Sequence, residues 1–127
     1  MIDAVKEIIG LAKSSFVERR RDLAISVEPL EETIDIMTKQ LRANHVERVS
    51  NSTSTILTGF VYSDLLINIE RVADHCSNIA FSVLHSYDIN AEEHAYTAHA
   101  ADSDTFRTQL HEYINKYVLP ISDSSEG

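Results

Sequence analysis

Glu31 and Asp35 form an E-x-x-x-D pair, and Glu70 and Asp74 form a second. Residues four apart share one helix face, with Cβ atoms about 6 Å apart. Each pair therefore presents two carboxylates side by side. Carboxylate oxygens are hard donors suited to Mg2+, Ca2+, Mn2+ or ferric iron. Folding the two stretches as a hairpin that turns near residues 52–53 brings residues level when their numbers total about 105. Asp35 then meets Glu70, and Glu31 meets Asp74. The apolar positions obey nearly the same register, with Met37 opposite Ile69 and Leu30 opposite Cys76. Each carboxylate stands one residue, about 100° of rotation, past an apolar seam position. The four should line one groove edge, with Glu28 extending the patch. Like charges this close repel, so a cation, an arginine such as Arg71 or Arg42, water, or raised carboxylate pKa values must offset them.

Other residue types offer weaker chemistry. His75 follows Asp74, the reverse of the His-Asp order of metal-dependent phosphohydrolases, and it points a further turn of about 100° away from the groove. Asn78 is placed to orient a carboxylate or water. Residues 34 and 73 are Ile and Ala, so neither helix supplies the Glu-x-x-His of di-iron bundles. His94 and His99 fall in an expected loop, and His111 reads as a surface histidine. Gly10 and Gly59 are isolated and form no phosphate loop. The serines of 50–54 have no base or oxyanion partner in view. No enzyme is expected.

The elements that must position these residues are helices. Apolar residues recur at alternating steps of 3 and 4, the seam of packed helical bundles. One such series is Ile2, Val5, Ile9, Ala12 and Phe16. A second is Leu23, Val27, Leu30, Ile34, Met37 and Leu41. A third runs Tyr62, Leu66, Ile69, Ala73, Cys76, Ala80, Val83 and Tyr87, and a shorter one runs Phe106, Leu110, Tyr113 and Tyr117. The spacing predicts helices over about 2–19, 23–49, 54–87 and 104–118. Asp22 is a candidate cap for the second helix, and Asp102 or Ser103 for the fourth. Pro29 should kink the second helix or break it, with a restart at Glu28–Pro29. Residues 50–55 read as a polar turn, 88–101 as a loop and 122–127 as a tail. The expected fold is all-α: an antiparallel three-helix bundle over residues 1–121 with a C-terminal fourth helix packed on it. Val61, Leu65, Val72 and Ile79 form a second apolar stripe beside the third seam, which predicts a homo-oligomer.

Composition narrows the function classes. The 127 residues hold only 3 Gly and 2 Pro, few for a many-stranded sheet. With 20 acids and 11 bases the formal charge is -9. Such a surface repels nucleic acid, and it repels bare phosphate unless a cation mediates. Cys76 is the single cysteine, expected as a small buried hydrophobe rather than half of an internal disulfide. The first residues lack the basic region of a signal peptide, and no apolar run is long enough to span a bilayer.

The stretch "ERVADHCSNIA", preceded by "GFVYSDLLINI" and upstream by "EPLEETIDIM", resembles the PhoU family. Within it, the similarity is to the cytoplasmic PhoU-like region of type II-related bacterial sodium/phosphate cotransporters. It covers about Asp22 to Tyr87, with "HEYINKYVLP" fitting the tail. The resemblance implies a three-helix repeat and a regulatory role in phosphate homeostasis. It implies metal binding by E-x-x-x-D pairs, which carries over to Glu31, Asp35, Glu70 and Asp74. It also implies a partner, either a transporter membrane domain or another PhoU-like repeat, and a place on the cytoplasmic side of the cell membrane.

Overall fold

The computed structural model describes residues 1–51, 55–88 and 104–118. These form α1 (Ile2–Val17), α2 (Arg21–Ile25), α3 (Val27–Ser50), α4 (Ile56–Asp88) and α5 (Asp104–Tyr117), with no strand among the described residues. The expected all-α bundle is present. α1, α3 and α4 alternate in direction and pack together, and α5 lies along α3. The expected caps Asp102 and Ser103, the loop from residue 89, His94, His99, the side chain of Tyr87 and the 122–127 tail lie outside the described residues.

The second helix is divided. α1 closes when the Arg20 N–H donates back to the Ser15 carbonyl at 3.0 Å, with Arg19 at φ 53°. That is a Schellman-type stop with an arginine in the left-handed position where glycine is usual. A single turn of helix, α2, follows. Asp22 lies within this turn rather than capping it; its carboxylate accepts from the Arg20 guanidinium at 2.6 Å. α3 then starts at Val27, which places Pro29 third in the helix. The first N–H groups of a helix have no intrahelical acceptor, so proline sacrifices no hydrogen bond there.

The core joins Val27, Leu30, Ile34 and Met37 of α3 to Ala73, Cys76, Ala80 and Val83 of α4. These are the expected seam positions. On α1 the expected seam is corrected. Ile2, Ile9 and Phe16 are exposed; of the expected positions Ala12 is buried, and Ala4, Ile8 and Ser15 are buried with it. Ala4 and Ala12 of α1 share the core with Ala73, Cys76 and Ala80 of α4, and small side chains at such a contact let packed helices approach closely. α5 buries no residue fully. Gln109 donates to Ser26 Oγ at 2.9 Å, and Tyr113, Tyr117 and Val118 pack on the core's edge.

Candidate carboxylate site

The α3–α4 pair carries the acidic groove. Thr38 donates to Glu70 Oε1 at 2.7 Å, and Ser77 donates to Glu28 Oε2 at 2.5 Å. These level pairs have residue numbers totalling 108 and 105, close to the register that brings Glu31, Asp35, Glu70 and Asp74 to one side. Glu31, Asp35 and Glu70 are half-buried along the groove and Asp74 is exposed at its rim. His75 is exposed beyond it. Asn78 is exposed too, and it is Ser77 that reaches the groove.

Glu31 and Asp35 are the two carboxyls that their acidic neighbours push upward. Burial pushes Glu31 up to about 7, and the charges of Asp35, Glu28, Asp74 and Glu32 push the same way. Burial likewise raises Asp35; Lys39 opposes this, while Glu70, Glu32 and Asp74 add to it. Glu70 behaves differently. Burial pushes it upward, but hydrogen bonds from Arg42 and Thr38 outweigh that and hold it below the usual carboxylate range. The Arg42 guanidinium stands 2.6 Å from Glu70 Oε2. Arginine, one of the neutralisers that the sequence offers, is thus in place on Glu70, and among the described residues none pairs with Glu31.

The available donors are hard carboxylate oxygens, the chemistry that Mg2+, Ca2+, Mn2+ or ferric iron takes. Among the described residues no three His, Cys, Asp or Glu side chains stand together closely enough to hold a metal as they are placed. Closing the four on a cation requires Glu70 to exchange Arg42 for it. Thr38 and Ser77 were not apparent from sequence. Helical hydroxyls usually bond to their own backbone, as Thr33 does to the Pro29 carbonyl. No spacing signal marks the ones that also reach across.

An all-α bundle with paired E-x-x-x-D motifs in the groove between two long antiparallel helices defines a class of small helical modules. The chain belongs to the PhoU family: the PhoU domain matches residues 1–83, which extends the resemblance back through α1. The chain is also 29% identical over 85 residues to the phosphate-specific transport system accessory protein PhoU homolog 1 of Thermotoga maritima. That match takes in 67% of this chain and 37% of the relative, so the chain spans little more than a third of that protein's length. No solved structure matches the chain. No helix among the described residues is long and apolar enough to cross a membrane.

Proposed function

We propose that the chain is a regulatory or accessory module of phosphate homeostasis, not an enzyme. In this reading it works beside the membrane domain of a sodium-dependent phosphate transporter, on the cytoplasmic face, and binds a hard cation in the α3–α4 groove. Family membership supports the regulatory part, as does the relative whose name places it with a phosphate-specific transport system. The observation that carries the cation part is the crowding of Glu31, Asp35 and Asp74, with Glu31 pushed up to about 7. A cation bound there would relieve that repulsion and offer phosphate a positive centre, where the bare groove repels it. Further partners in this reading are another PhoU-like repeat or a second copy of the chain.

The Arg42–Glu70 ion pair favours a second reading, a helical association module whose groove is already neutralised within the chain. Calorimetric titration of the metal-stripped chain with Mg2+, Ca2+, Mn2+ and ferric iron separates the two. The cation reading expects saturable binding that weakens as pH falls through about 7, where Glu31 takes up a proton. It expects loss of binding in Glu70→Gln/Asp74→Asn and tighter binding in Arg42→Ala. No saturable binding, or equal binding in the double variant, leaves the association module.

A further inference from the structure

α1 buries Ala4, Ile8, Ala12 and Ser15 and packs on α2, α3 and α4. Its outward side is not the polar surface that such a helix usually turns to water. Ile2 is 69% exposed, Phe16 66%, Val17 69% and Ile9 46%. Lys6 and Lys13 are exposed beside them. At about 100° per residue, these six fall within an arc of about 100° turned away from the core. No acid falls in that arc. Asp3 stands about 40° beyond Val17. Glu7 lies further round, where Lys116 and the Tyr117 hydroxyl already hold it.

Charge sets this end of the chain apart. Residues 1–21 hold five bases and three acids, whereas the remaining 106 hold six and 17. An apolar stripe with lysines inside it, on the basic end of an acidic protein, matches a surface that is negative on top and apolar beneath. We propose that the outward face of α1 docks in the plane of an anionic lipid bilayer. Ile2, Ile9, Phe16 and Val17 enter the boundary between headgroups and acyl chains. Lys6 and Lys13 lay their stems along it and keep their ammonium groups among the lipid phosphates. The four apolar side chains are spread over about four turns, so the whole length of α1 engages the surface. The same surface attracts residues 1–21 and repels the acidic remainder, which orients the molecule on it.

A protein partner is the poorer occupant. Lysine is depleted from the centres of protein interfaces, and here both lysines lie between Ile2 and Val17 around the helix rather than at the edge of the stripe. A second copy docked about a two-fold axis would bring the same lysines together. No helix among the described residues is long and apolar enough to cross a membrane, so the attachment is to its surface. The proposal rests on the reading that the chain works beside a membrane, and it needs neither a transporter nor a bound cation.

The chain has no tryptophan, so Phe16→Trp and Phe60→Trp each carry one fluorescent reporter, on the α1 face and on the outer end of α4. Vesicles of phosphatidylglycerol and phosphatidylcholine in equal parts should shift the Phe16→Trp emission to the blue and leave that of Phe60→Trp unchanged. Vesicles of phosphatidylcholine alone should shift neither. In cosedimentation, Lys6→Glu/Lys13→Glu should bind the anionic vesicles at least about tenfold more weakly than the wild type, and wild-type binding should fall as salt rises. All the substituted positions are exposed, so helical circular dichroism should be retained in each variant. A wild type that ignores anionic vesicles overturns the proposal but leaves the regulatory and cation readings standing, because the vesicles hold neither transporter nor metal. Binding that the double variant retains, or a shift at Phe60→Trp in place of Phe16→Trp, overturns it as well. A Phe16→Trp emission that shifts with protein concentration in the absence of vesicles overturns it and gives the face to a second copy.

Discussion

Glu31 and Glu70 carry the same side chain in one groove and are pulled in opposite directions. Burial and neighbouring carboxylates raise Glu31 from 4.5 to about 7; at Glu70, Arg42 and Thr38 overcome burial. The raised group has a definite sign. A carboxyl whose pKa is higher folded than unfolded contributes stability that is present below 4.5 and lost as pH rises through about 7. Glu31→Gln cannot ionise, so its stability should change less with pH over that window. At about pH 8 it should exceed the wild type by about 1 kcal/mol, less than the full shift implies because the carboxylate keeps contact with solvent. Urea midpoints measured at pH 5 and pH 8 check this, and parallel pH slopes for the two proteins would refute it. The acidic spacing was enough to group these residues. Their different pKa shifts depend on Arg42, whose long side chain spans a helical turn to reach Glu70.

At the level of the helix pair, Gly59 marks a close approach of α4 to α3. A methyl group added there would stand 2.8 Å from His45 Nε2. That nitrogen is buried without a hydrogen-bond partner among the described residues, and the ring packs on Tyr62 with centroids 4.8 Å apart. Gly59→Ala gains about 1 kcal/mol of helix propensity but displaces the His45 ring. Alone it should therefore be neutral or destabilising, whereas in a His45→Ala background the same change should stabilise by about 1 kcal/mol. Thermal or denaturant unfolding of the four proteins of this cycle measures the coupling, and additive effects would show that the contact does not restrain α4. Apolar spacing picked the packed face of α3 and α4 because each has one dominant stripe there. On α1 it picked Ala12 correctly but took Ile2, Ile9 and Phe16 over Ala4 and Ile8. Periodicity weighs side-chain size, whereas packing against the Ala73–Cys76–Ala80 stripe rewards small ones.

In the molecule as a whole, α5 packs along α3 without a fully buried residue and lies beyond the part that matches the family. Glu7 of α1 accepts from Lys116 at 2.9 Å and from the Tyr117 hydroxyl. With no fully buried residue, α5 should open without the rest. Hydrogen exchange is expected to be at least about tenfold faster in α5 than in the first half of α3. Glu7→Gln should quicken α5 further and leave α3 unchanged. Equal protection of both helices would instead make α5 part of the cooperative core.

Alternating steps of 3 and 4, few glycines and a short polar turn were sufficient for the all-α class and for the pairing of α3 with α4. Those are local properties: a helix repeats its faces every turn, and a brief connection forces its neighbours antiparallel. The same register sets Glu31, Asp35, Glu70 and Asp74 on one side of the helix pair, which follows from their spacing alone. Three features needed the folded chain. The closely packed face of α1 depends on which of two apolar stripes matches the surface opposite. The Arg42–Glu70 pair depends on reach between helices rather than spacing within one. The limit of burial along the α3–α4 hairpin, with Thr38 the last buried residue of α3 and Leu66 the first of α4, depends on where a 16-residue helix comes to rest along a 33-residue one. Periodicity does not specify that axial position, because every turn of a helix presents the same pattern as the next.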